Sequence, residues 1–314
     1  GSDREQLTSL ARTCSGIGDA IPTVLTMTVV PILGAGSSMA DYRIGFKWWA
    51  LIIAVVFVIS ELVCVVCVPE RPVACDEKPG KISDMFKALF KNDQAMTVVV
   101  SIILVYTSLN ICGNLVLYFF RFDVGNEGAY SIFAAVAFAA QVLVMMVIPL
   151  LRKRFSKSQL FISGFIIQIA GFAVILIMAF AKLYTPQSWY ILCLPGILIY
   201  LGYGMLNVIM TIFLSDSVDY GEVMNGTREE SVIFSMQTFT VKLASGVAVF
   251  LAGLVVDWIH LDTAAAVQTQ DTLDALRMWM TIPSVILLIV GIFVFKRFYK
   301  LNDTRMEEIK SKLN

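Results

Sequence analysis

The ammonium of Lys242 stands in the middle of an apolar run. At 1.5 Å per residue it lies roughly 16 Å inside that run, near the centre of a ~30 Å hydrocarbon layer. A charge at that depth costs several kcal/mol unless it faces a partner or water, and it is too deep for its stem to reach the surface. Such a lysine marks a pathway or a binding site. In another apolar segment Tyr106, Asn110 and Asn114 recur every four residues. This polar stripe must face protein or water, either lining a cavity suited to polyols or hydrogen-bonding a neighbouring helix. Arg12 has two acids within reach by helical spacing, Asp19 on its own segment and Glu61 on the next. The high cost of unpaired charge predicts that one of them pairs with Arg12. No nucleophile–base pair, metal cluster or phosphate-handling motif accompanies these groups, so an enzyme is not expected.

The elements that position these residues are long apolar helices. The chain is 58% hydrophobic and 15% charged, with mean hydropathy +0.78, where soluble domains carry charge on about a quarter of their residues. Eight spans are read at approximately 14–36, 44–68, 95–120, 129–151, 159–183, 188–214, 231–257 and 275–297. Backbone groups in lipid must be satisfied within the segment, so these are helices. Arg71, Lys78, Lys81, Lys87 and Lys91, then Arg152, Lys153, Arg154 and Lys157, then the tail from Lys296 to Lys312 all fall on one side when the spans alternate. That basic side is cytoplasmic by the positive-inside rule, with both termini on it. The 24 basic and 24 acidic residues balance, so no overall field points to nucleic acid.

The basic stretch 69–94 contains Ile82, Met85, Phe86 and Leu89 at helical spacing, which predicts a short amphipathic helix on the inner leaflet. Cys64 and Cys67 have CxxC spacing inside a span; without a histidine or further cysteine nearby they read as small core residues. Gly202 and Gly204 allow either close helix packing or a hinge.

Four stretches resemble the glycoside–pentoside–hexuronide:cation symporters (melibiose permease-like), a branch of the major facilitator superfamily. They are residues 3–12, the aromatic run Tyr118-Phe-Phe-Arg-Phe122, residues 216–242, and the tail Arg297-Phe-Tyr-Lys-Leu-Asn302. The resemblance implies an all-α membrane protein whose eight helices correspond to helices 5–12 of a twelve-helix fold. On that basis 1–68 holds the last two helices of the N-terminal half, 69–94 the central cytoplasmic loop, 95–298 the C-terminal six-helix half and 299–314 a cytoplasmic tail. It further implies cation-coupled uptake of a glycoside, pentoside or hexuronide by alternating access, in a multi-pass protein of the bacterial cytoplasmic membrane. The partners are then a sugar, a coupling cation and the lipid bilayer. No cofactor is implied beyond Na⁺ or H⁺, whose site in the family lies on helices that precede this chain. A non-transporting membrane sensor or scaffold derived from a truncated transporter is the alternative.

The resemblance also assigns residues. Arg12 aligns with an arginine facing the sugar pocket, where a guanidinium can fork to hydroxyls or a uronate. Gln237, Thr238, Val241 and Lys242 align with positions near the sugar and cation sites and are read as sharing one helix face. Asn207 stands where the melibiose permease has a tryptophan, so stacking of a sugar on an indole is not expected there. Independently of the resemblance, the polar stripe adds Asn110 and Asn114 to the expected substrate-binding set, which contains no metal ligands. Asp216, Asp219, Tyr220 and Arg228 align with ionic locks that close the cytoplasmic side between the two halves, a two-state gate.

Overall fold

The computed structural model describes residues 2–36, 39–67, 90–226, 230–263, 265, 267–301 and 303–313. The residues group into two compact units, 17–81 and the combination of 1–16 with 82–314. Arg228 and the expected amphipathic segment up to residue 89 lie outside the described residues.

The smaller unit contains the greater part of α1 (Ser2–Gly34) and all of α2 (Met39–Cys67). The segments Gln6–Thr26 and Thr28–Gly34 of α1 meet at a 51° bend. Pro31 explains its place: proline has no N–H for the carbonyl four residues back, at position 27, and its ring pushes that carbonyl away. Trp49 of α2 donates its indole N–H to Thr26 Oγ1 at 2.8 Å. From Leu51 to Cys67 every residue of α2 is exposed. Cys64 and Cys67 therefore do not pack in a core as their size suggested; the apolar residues run all round this helix, the pattern of a membrane span.

The larger unit is built from α3 (Asp93–Tyr118), a π-helical turn (Phe119–Asp123), α4 (Ala129–Leu151), α5 (Lys157–Phe180), a 3₁₀ turn (Trp189–Leu192), α6 (Cys193–Asn225), α7 (Glu230–Trp258), α8 (Gln270–Phe298) and α9 (Asp303–Leu313). Local sequence starts the helices: Asn92, Ser156 and Thr269 each accept a backbone N–H three residues on, and Ser156 with Gln159 forms a capping box. α6 packs against α4 and α5, α3 packs against α7 and α8, and the α3–α6 and α5–α8 contacts join the two groups.

α6 is the most buried of these helices, and Gly202 and Gly204 are what let it sink between its neighbours. A Cβ at position 202 would lie 2.6 Å from backbone atoms of Gln168 and Gly164 on α5; one at 204 would lie 2.9 Å from the Gln141 carbonyl on α4. The two glycines serve close packing on opposite sides. Phe161, Phe213, Phe295 and Tyr299 from α5, α6 and the end of α8 form a buried aromatic stack with ring centroids 4.4–5.3 Å apart.

Among the described residues seven helices are long and apolar enough to cross a membrane, and α1 taken as one bent span is the eighth. The protein is thus an all-α, multi-span membrane protein. α9 buries Met306 and Ile309, with Leu301 just before it, against Tyr220, Val223 and Tyr299.

Candidate functional site

Midway along α3 and α6 the larger unit assembles a cluster of hydroxyls and amides. Thr211 is its hub. Its Oγ1 accepts from Arg12 Nε at 3.0 Å and from Gln237 Nε2 at 3.4 Å, and donates to the Asn207 carbonyl at 3.0 Å. Asn207 Nδ2 donates to Tyr106 Oη at 2.8 Å and Tyr203 Oη at 3.3 Å. The two tyrosine rings meet edge to face at 5.5 Å. Asn207 Oδ1 is buried and has no protein partner among the described residues. Four helices are thereby drawn to one place: α1 through Arg12, α3 through Tyr106, α6 through Tyr203, Asn207 and Thr211, and α7 through Gln237.

The chemistry on offer is directional hydrogen bonding with one fixed positive charge. Arg12 spends only its Nε on a neighbour among the described residues, so the two terminal nitrogens keep their fork geometry for a ligand. Its partner is Thr211, where the sequence suggested Asp19 or Glu61. A hydroxyl orients the guanidinium without neutralising it.

The α3 stripe makes the interhelical hydrogen bond that was one of its two readings. Asn110 accepts from Ser245 of α7 at 3.2 Å, while Asn110 and Asn114 each donate to the carbonyl four residues back on their own helix. Asn114 lines a groove of about 590 Å³ between α3 and α7.

The reading of α7 requires correction. Gln237 is buried, Val241 half-buried, and Thr238 and Lys242 are exposed. From residue 237 to 242 a helix turns through about 140°, too far for one face. The buried stripe of α7 is Ile233, Gln237, Thr240, Ala244, Ala248 and Ala252, and Lys242 lies on the opposite side. It is not held among packed helices of this unit. Gly246 and Gly253, near it on the same side, also border open space.

The charged end of α6 is anchored within the larger unit. Asp216 is paired at 2.5 Å with Lys157, at the start of α5 in the same unit. Lys157 lies 3.8 Å from Asp303, which also lies 3.4 Å from Arg152. This chain of charges joins α5, α6, α9 and the C-terminal end of α4 within the larger unit. Asp219 is buried, and Tyr220 packs against the α9 cluster. Burial, then the charges of Asp216 and Asp303, push the Tyr299 phenol well above its ordinary pKa, so it stays protonated beside them.

Sequence reasoning missed Lys157, Asp303, Tyr203, Thr211 and Ser245. A signal existed for Lys157: the capping box places a cation in the first turn of α5, where the helix dipole disfavours it unless an acid is near. It also missed a buried cluster at the other end of the bundle, where Arg277 of α8 forks to both Asp123 carboxylate oxygens. Tyr184 Oη donates to Asp123 at 2.6 Å, and Arg277 also reaches Asp274 at 2.7 Å. The π-helical turn sets where Asp123 falls, and no sequence pattern announces that turn.

Comparison with known proteins agrees with this architecture. The family model described as MFS/sugar transport protein matches residues 1–303. The raffinose carrier protein of Pediococcus pentosaceus is 24% identical over 99% of this chain and 48% of its own length. The isoprimeverose transporter of Lactiplantibacillus pentosus is 23% identical over 94% and 60%. The lactose permease of Lactobacillus delbrueckii subsp. bulgaricus is 24% identical over 99% and 49%. The chain spans about half the length of several of the curated relatives it matches.

Proposed function

The chain belongs to the MFS/sugar transport protein family, and we propose that it works in cation-coupled uptake of a glycoside or oligosaccharide across a bacterial cytoplasmic membrane, with both termini in the cytoplasm. The observation that carries this reading is the mid-membrane cluster around Thr211 and Asn207. Its hydroxyls, amides and single guanidinium match the alternating donors and acceptors of a sugar ring. The buried Asn207 Oδ1 and the terminal nitrogens of Arg12 are the groups with unspent capacity. Binding near the midplane and rocking of two helical halves then expose the sugar to each side in turn. The Lys157–Asp216–Tyr220 region at the inner end is the part of this bundle suited to gating. Lys242 lies far from the inner end on an open face of α7, which supports a water-facing rather than lipid-facing surface, since lipid would exact the cost of a bare charge.

The experiment is uptake of labelled mono-, di- and trisaccharides into proteoliposomes carrying the product of the full reading frame, with Na⁺ or proton gradients imposed separately. Uptake driven by one gradient and lost in Arg12→Ala is expected. Equal uptake with and without both gradients removes the coupling. Sugar binding without uptake under any gradient favours the sensor reading.

A further inference from the structure

We propose that the groove between α3 and α7 is a second saccharide subsite, which holds the distal ring of an oligosaccharide or glycoside whose other end reaches the central cluster; this rests on the transport reading above. The groove, of about 590 Å³, falls within the range of small-molecule sites. Asn114, Tyr118, Val249, Phe250, Gly253 and Asp257 are among its lining residues.

Three features assign it to a sugar. The first is continuity. Tyr106, Asn110, Asn114 and Tyr118 follow one another at four-residue steps, so a polar stripe about 18 Å long leads from the central cluster into the groove. The second is the mixture of surfaces. Tyr118 and Phe250 offer aromatic faces for the C–H side of a ring. Asn114 Oδ1 has no protein partner among the described residues, its amide donor being spent on Asn110. The exposed Asp257 carboxylate has neither a hydrogen bond nor an ion pair among the described residues, the His260 N–H engaging only its backbone carbonyl. A carboxylate accepts from two vicinal hydroxyls, one on each oxygen.

The third is position. Asp257 precedes Trp258, which is exposed and lies 5.8 Å from Trp279. Paired tryptophans mark the level of the membrane–water interface, so the groove opens where a solute arrives from water. Gly253 and Gly246 keep the α7 wall low, with nothing within 4 Å of an added Cβ at either. A lipid acyl chain in the same place would leave the Asp257 carboxylate and the Asn114 carbonyl oxygen without partners.

The test uses Asp257→Asn, which removes the charge, and Gly253→Leu, which fills the groove and leaves the charge. KM for uptake of a methyl monosaccharide and of a trisaccharide with the same terminal ring is measured in energised proteoliposomes containing equal amounts of monodisperse protein. The ratio of trisaccharide to monosaccharide KM is expected to rise about tenfold in each variant, the loss of one charge-assisted hydrogen bond or its steric equivalent. An unchanged ratio in both variants refutes the subsite while wild-type uptake continues. Absence of wild-type uptake for every sugar instead refutes the transport reading and this inference with it. An unchanged ratio accompanied by altered uptake in vesicles of different acyl length assigns the groove to lipid and also overturns the proposal.

Discussion

Arg277→Met strips the cation from a cluster that is almost wholly withdrawn from water, with the Arg277 and Asp123 side chains 4% and 3% exposed. Arg277 supplies Nε and Nη2 to Asp123 and Nη1 to Asp274. Without it, Asp123 keeps only the Tyr184 hydroxyl among the contacts that hold it. The reverse change, Asp123→Asn, leaves Arg277 its 2.7 Å contact with Asp274. Breaking a buried pair from one side costs about 3–5 kcal/mol. The bond inventory places Arg277→Met near the upper end and Asp123→Asn near the lower. At roughly 2–4 °C per kcal/mol for larger domains, the thermal midpoint falls on the order of 15 °C and 9 °C respectively. Asp123→Leu with Arg277→Met removes both charges and is expected within about 1–2 kcal/mol of wild type. The assay is intrinsic-fluorescence melting of the purified protein in one detergent. Single variants indistinguishable from wild type, or a coupling below about 0.5 kcal/mol in the cycle formed by Arg277→Met, Asp123→Leu alone and the two together, would refute the claim that this pair clamps α8 to the end of α3.

Three further outcomes are expected. Lys157→Met costs about 3 kcal/mol because it leaves buried Asp216 without its ammonium, whereas Asp303→Asn costs under about 1 kcal/mol, its carboxylate being 39% exposed and its contacts long; melting of the two variants side by side decides this. Gly202→Val destabilises by about 1–3 kcal/mol, since the atoms it meets are backbone and cannot yield, while Gly113→Ala, which meets nothing within 4 Å, is neutral or mildly stabilising in the same assay. Burial, then the Asp123 charge, raise the pKa of Tyr184 above its ordinary value. A raised folded pKa means that its contribution is complete below the unfolded value near ~10 and is lost as pH rises through the folded one, so wild-type stability falls more steeply than that of Tyr184→Phe above about pH 10.

Much of the architecture was legible because one constraint governs it. Runs of about twenty apolar residues in lipid must be helices, and Asn92, Ser156 and Thr269 mark their starts by ordinary capping chemistry. Arg12, Gln237 and Asn207 were singled out through resemblance, and the structure joins all three through Thr211. Thr211 itself was not, because a threonine among Ile212, Phe213 and Met210 carries no signal until its neighbours are known. Lys242 shows the opposite failure. Its depth in the span was read correctly, but depth says nothing about direction around the helix axis, and the packed face of α7 is set by Ala244, Ala248 and Ala252 meeting α3.

The sequence by itself determined the helical class, the span count once the bent α1 is counted as one, and the residues with unusual polarity, since each depends only on composition and short-range spacing. Tertiary structure alone decided which charges meet. Asp216 chose Lys157, Asp123 chose Arg277, and Arg12 chose a hydroxyl. An ion pair between helices depends on their relative rotation and depth, and those are fixed by the packing of many side chains at once, Gly202 and Gly204 on α6 among them.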